Sequence, residues 1–123
     1  MGKHPLNLAL RFLLELAAIF TYGLWGYRVS EGASGILFAI LLPLVFALLW
    51  GIFAVPQDPS RSGKTVVSTP GLLRLFLELV LFASATIMIR DLYPSPASWI
   101  FGGIVLIHYI LSYDRVLWLL KQK

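Results

Sequence analysis

The sequence predicts an all-α integral membrane protein, a four-helix bundle built from two helical hairpins repeated in parallel. Three observations predict it. Of 123 residues, 59% are hydrophobic and 13% charged, with a mean hydropathy of +0.83. Soluble domains run about 45–50% apolar and about 25% charged. No Asp, Glu, Lys or Arg falls between Glu31 and Asp58, nor between Asp91 and Asp114. A short charged motif also occurs twice. Six acids and ten bases cannot cover the surface of a water-soluble globule, which excludes a soluble enzyme, a disordered tail and a nucleic-acid-binding module. With no cysteine, disulfides, thiolate metal sites and cysteine nucleophiles are excluded too.

Crossing a bilayer takes about 20 apolar helical residues. Residues 6–27, 36–55, 72–89 and 97–120 meet that need and form one transmembrane domain over 1–123, with a polar loop over 56–71. Pro5 opens the first helix, and Pro43 sits inside the second, where it removes a backbone hydrogen bond. Pro56, Pro59, Ser60, Ser62 and Gly63 mark the loop, and Thr69-Pro70 reads as an N-cap followed by proline at the first helical position. Tyr93-Pro94-Ser95-Pro96 makes a stiff turn before the fourth helix, with Ser95 or Ser98 as its cap.

Orientation follows from the placement of Lys and Arg. Lys3, Arg11, Arg61, Lys64, Arg74, Arg115, Lys121 and Lys123 fall on one side, Arg28 and Arg90 on the other. This bias predicts cytoplasmic N- and C-termini and a cytoplasmic middle loop, so the net charge of +4 reports topology rather than an anionic partner. Trp25, Tyr27, Tyr93 and Trp99 make an outer aromatic belt; Trp50, Tyr113 and Trp118 make an inner one. The first helix is too long for a signal peptide, carries Arg11 and Glu15, and is followed by no small-x-small cleavage site.

The repeated motif is Arg11-Phe12-Leu13-Leu14-Glu15-Leu16, which recurs as Arg74-Leu75-Phe76-Leu77-Glu78-Leu79. Both copies lie in odd-numbered helices, which implies duplicated hairpins and a pseudo-two-fold axis along the membrane normal. Residues four apart share a helix face, so Arg11 stacks on Glu15 and Arg74 on Glu78. A charged residue at the helix centre costs about 2.5–3.5 kcal/mol on insertion scales. Both glutamates are therefore expected to point inward. By pseudo-symmetry Arg11 can reach Glu78 and Arg74 can reach Glu15, giving a neutral intramembrane quartet. Further polar residues lie on the fourth helix. His108, Ser112 and Arg115 share one face, and Asp114 is deep enough to accept from Arg11 or Arg74.

The quartet has two readings. As glue it fixes packing and register. As a working site it handles protons or cations, since intramembrane ionisable groups are functional candidates. The arginines favour glue, because an adjacent guanidinium favours the ionised carboxylate, whereas a proton carrier must take up and release a proton. One histidine with scattered carboxylates makes no metal site, and a single histidine is a poor haem site. Ser62-Gly63-Lys64-Thr65 resembles the end of a phosphate loop, but Asp58 stands where its first glycine belongs and no strand precedes it. Neither catalytic residues nor a bound nucleotide, cofactor or metal is expected.

The segment Asn7-Leu8-Ala9-Leu10-Arg11-Phe12-Leu13-Leu14-Glu15-Leu16-Ala17-Ala18 resembles the YrdB-like family of small bacterial membrane proteins. So do Tyr22-Gly23-Leu24-Trp25-Gly26, Leu49-Trp50-Gly51-Ile52-Phe53 and Leu73-Arg74-Leu75 through Glu78-Leu79, in order along the whole chain. The resemblance implies a four-helix protein of the bacterial inner membrane and supplies no catalytic residues.

Three functions are weighed on these grounds. The first is a non-enzymatic structural or interaction protein. Its partners are the lipid bilayer and either a second copy or another membrane protein, with small residues at Ala17, Ala18, Thr21, Gly23 and Gly26 on the first helix and over residues 83–86 on the third allowing close helix contacts. The alternative is a small proton- or cation-coupled transporter using Glu15 and Glu78. It is similar in size to the small multidrug-resistance exporters, which also carry a glutamate in helix one but show weak charge bias. A redox or quinone-binding protein using His108, Tyr109 and Tyr113 is the third and has the least sequence support.

Overall fold

A computed structural model describes residues 4–58 and 65–122. Lys3, Arg61, Lys64 and Lys123 of the charge-bias argument, and most of the Ser62-Gly63-Lys64-Thr65 segment, lie outside the described residues. Among the described residues, five helices and two very short strands follow in order: α1 (Pro5–Val29), α2 (Ala33–Ile52), β1 (Phe53–Ala54), β2 (Val67–Ser68), α3 (Gly71–Leu92), α4 (Ala97–Leu111) and α5 (Tyr113–Leu120). The fold is all-helical apart from that strand pair. α1, α2 and α3 are each long and apolar enough to cross a membrane, and α4 with α5 make a fourth candidate only if taken as one broken span.

α1 starts at Pro5, and the His4 ring accepts from the Leu6 amide at 3.2 Å. Its buried residues, Asn7, Arg11, Leu14, Ala18, Thr21, Tyr22 and Gly26, recur every three or four positions and make a single inward stripe. α2 folds back along α1 closely enough that a Cβ on Gly26 would meet the Phe38 carbonyl oxygen at 2.6 Å. Only glycine fits that approach. α3 then runs parallel to α1, as the pairs Arg11–Glu78, Tyr22–Ser84 and Trp25–Asp91 show. α4 returns along α3, with Phe82 facing both Phe101 and Tyr109.

The core has an inverted character. Leu14, Ala18, Phe46, Phe82 and Ala85 are buried at its centre, but so are Asn7, Arg11, Arg74, Glu78, His108 and Arg115. Large apolar side chains such as Leu6, Phe20, Phe76, Ile87 and Trp99 stand on the outside. Water would penalise that arrangement; lipid tails favour it.

Three expected boundaries change. The second helix does not reach residue 55. It stops at Ile52 because Phe53 and Ala54 pair in parallel with Val67 and Ser68, and the Thr69 amide continues the strap by donating to the Ala54 carbonyl at 2.8 Å. Thr69 therefore does not cap the third helix; Pro70 holds the N-cap position. Nor is the fourth helix continuous over 97–120. It breaks at Ser112, where α5 turns 70° away from α4. The Ser112 hydroxyl accepts from Asn7 Nδ2 at 2.7 Å, and its backbone (φ −94°, ψ 23°) leaves helical geometry. At about 1.5 Å per residue, the 15 residues of α4 span about 22 Å, less than a ~30 Å hydrocarbon core.

Candidate functional site

One carboxylate organises the polar interior. Glu78 on α3 is fully buried and receives six donors. Its Oε1 accepts from Arg11 Nη1 at 3.3 Å, the Tyr109 hydroxyl at 2.6 Å and Arg115 Nη1 at 2.9 Å. Its Oε2 accepts from Arg11 Nη2 at 3.0 Å, Arg74 Nε at 2.7 Å and Arg115 Nη2 at 2.7 Å. Four helices contribute: α1 through Arg11, α3 through Arg74 and Glu78, α4 through Tyr109 and α5 through Arg115.

Each arginine has a second duty. Arg11 Nε lies 3.3 Å from Glu15 Oε1. Arg74 Nη1 donates to the Trp50 and Phe53 carbonyls, both at 2.6 Å, and so satisfies backbone acceptors at the end of α2 that no helical amide reaches. Arg115 grips Asp58 with two parallel bonds, Nε to Oδ1 at 2.9 Å and Nη2 to Oδ2 at 2.6 Å, the fork geometry that suits a guanidinium and a carboxylate. The guanidinium carbons of Arg11 and Arg74 lie 4.8 and 4.7 Å from the Trp50 ring centroid, close enough for cation–π attraction. Three arginines thus meet three acids, Glu15, Glu78 and Asp58, with no net charge.

The expected quartet is therefore not a closed unit. Arg11, Arg74 and Glu78 meet, but Arg74 turns to Glu78 and the α2 carbonyls rather than to Glu15. Glu15 stays at the margin with its side chain 21% exposed. Asp114 does not take the inner place assigned to it: it is exposed, because neighbours in sequence point to different sides of a helix and Arg115 is the one turned inward. Asp58 fills the acidic role instead. Trp50 is half-buried and stacked on Phe46 at 5.5 Å.

A second polar group borders the first. Asn7 bridges the Ser112 hydroxyl and His108, with His108 Nδ1 2.9 Å from Asn7 Oδ1. His108, Ser112 and Arg115 are all buried. His108 Nε2 is the buried side-chain polar atom without a hydrogen-bond partner among the described residues. No group of three or more His, Cys, Asp or Glu arranged to hold a metal occurs among the described residues.

Asp58 and Asn7 are the members that the sequence did not mark for the site; Tyr109 was marked only for the redox reading. Asp58 reads as an ordinary loop acid, and no periodic signal ties a loop to a helix more than fifty residues later. Asn7 sits one helical turn before Arg11 on the buried stripe, which is the signal that could have found it.

Comparison with known proteins agrees with this chain's own motifs. The family described as a protein of unknown function (DUF2568) matches residues 9–106. A protein of Bacillus subtilis (strain 168), "Uncharacterized protein YrdB", is 40% identical over 116 residues, which cover 94% of each chain. No solved structure matches. With most of its length matched, and with the Arg11–Glu15 and Arg74–Glu78 segments inside the match, the chain belongs to the DUF2568 family of YrdB-like proteins.

Proposed function

We propose that this chain is a multi-pass protein of the bacterial inner membrane with a non-enzymatic, structural or interaction role. In this reading it is a four-helix bundle descended from a duplicated hairpin, with both termini and the loop over 56–71 in the cytoplasm. Arg11, Arg74 and Glu78 form the centre of an internal clasp, with Glu15 at its edge and Arg115 and Asp58 extending it, that fixes how the helices sit together. His108 and Ser112 belong to the adjoining polar group. The partners are the lipid bilayer and either a second copy or another membrane protein, with no part for nucleic acid or nucleotide.

The observation that carries this reading is the donor shell of Glu78. Every contact on its two oxygens is an N–H or O–H. A coupling carboxylate must offer a lone pair to a proton or cation in transit, whereas one wrapped this way acts as an anchor. Parallel packing of α1 and α3, each bearing Arg-x-x-x-Glu, supports the duplication, and the apolar outer faces support membrane residence.

Purified protein in liposomes is expected to pass no pH-driven proton or cation current. Thermal stability is expected to fall in Glu78→Gln. A current abolished by Glu15→Gln, or an unchanged melting temperature in both Glu15→Gln and Glu78→Gln, contradicts the clasp.

A further inference from the structure

The outer face between α3 and α4 is grooved. One stretch, of about 390 Å³, is bordered by Arg90, Trp99, Gly103 and Leu106, among others. A second, of about 510 Å³, shares Thr86, Ile87, Gly102 and Leu106 with the first and continues past Val105 to Tyr109. Together they form a trough from Arg90 down to the level of Leu79, about 16 Å of helix at about 1.5 Å per residue. That is close to one leaflet, half of a ~30 Å hydrocarbon core.

The trough exists because α4 carries glycines where it faces outward. A Cβ on Gly102 would touch Thr86 at 3.4 Å, and one on Gly103 would meet nothing within 4 Å. The walls are almost wholly apolar, but the mouth is not. Arg90 is exposed in the last turn of α3 and makes no ion pair or hydrogen bond among the described residues. Its neighbour Asp91 accepts from Trp25 Nε1 at 2.9 Å toward α1, and adjacent residues on a helix do not face one another. Five guanidinium donors therefore stand unmatched at the polar end of an apolar slot.

We propose that this trough holds one acyl chain of an anionic phospholipid whose phosphate is bound by Arg90. The inference rests on the membrane reading above. Charge complementarity selects this occupant, because Arg90 calls for an anion and the slot for an apolar chain. A phosphate on the same molecule as the acyl chain meets both ends at once.

The test uses the full chain, extracted from membranes in mild detergent. Native mass spectrometry counts retained dioleoyl-phosphatidylglycerol against dioleoyl-phosphatidylcholine. Preference for the anionic lipid is expected at about fivefold, the gain of one interfacial Arg–anionic lipid pair. Arg90→Gln should bring that preference to parity, while Arg28→Gln, at the same end but outside the trough, should leave it. Gly103→Leu, placed where a side chain meets open space, should lower retention of both lipids. Equal retention by the native chain, or an Arg90→Gln variant that keeps the preference, overturns the proposal. So does disulfide cross-linking between two Gly103→Cys chains in this otherwise cysteine-free protein, because a second copy then occupies the face. A chain recovered without detergent in the soluble fraction instead contradicts the membrane reading itself.

Discussion

α1 and α3 carry the same Arg-x-x-x-Glu motif on parallel helices, yet the two glutamates live in different surroundings. Glu78 is wholly buried beneath three guanidiniums and a tyrosine hydroxyl, while Glu15 touches Arg11 from the margin and keeps 21% of its side chain exposed. The difference comes from elements outside the repeated motif. Arg115 arrives on α5, Asp58 on the loop after β1, and the end of α2 claims Arg74. A motif that occurs twice thus offers two carboxylates alike in sequence, and the parts of the chain outside it decide which is enclosed.

The sharpest way to break this comparison is at Glu78. Glu78→Gln leaves three arginines facing a neutral amide and should cost about 3–5 kcal/mol, as removal of one member of a buried ionic group does. The check is thermal unfolding in mixed micelles. A smaller loss than Glu15→Gln produces would reverse the ranking of the two sites.

Gly71→Ala comes next. The new Cβ would stand 1.6 Å from the Leu119 carbonyl oxygen, so α5 must move and take Arg115 with it. The expected cost is about 1–3 kcal/mol, as for other overpacked contacts, with faster proteolysis after residue 112 as a separate readout.

Arg115→Lys sharpens the asymmetry, because an ammonium keeps the charge but cannot fork onto Asp58 while reaching Glu78. A loss of about 1–2 kcal/mol is expected for the missing charge-assisted bonds, and the double-mutant cycle with Asp58→Asn should show strong coupling. Glu15→Gln should have the smallest effect, about 1 kcal/mol or less, as for other partly solvated pairs.

The long helices were legible in the sequence because apolar length alone specifies them, and the inward stripe of α1 follows from its three-and-four spacing. The meeting of Arg11 with Glu78 was legible for the same reason: two parallel helices carry one motif on facing sides. The break at Ser112 was not. Leu111-Ser112-Tyr113 holds neither glycine nor proline, and the serine leaves the helix in company with a bond from Asn7, a residue more than a hundred positions earlier. Asp58 was equally silent, since its partner is fixed only once β1 and β2 have strapped the loop in place. Long-range polar bonds set both features, and a local pattern does not encode them.

The tie between α5 and the start of α3 has a consequence for how the protein is made. The Gly71 amide donates to the Gln122 carbonyl at 3.0 Å, and Arg115 completes the shell of Glu78. Chains emerge from the ribosome N-terminus first, so Arg11, Arg74 and Glu78 emerge ahead of Arg115. Until those late residues arrive, the carboxylate lacks a third of its donors and Asp58 lacks its guanidinium. The last helix to emerge therefore completes the polar interior, and a chain ending before residue 115 leaves Asp58 and Glu78 short of the donors that Arg115 brings.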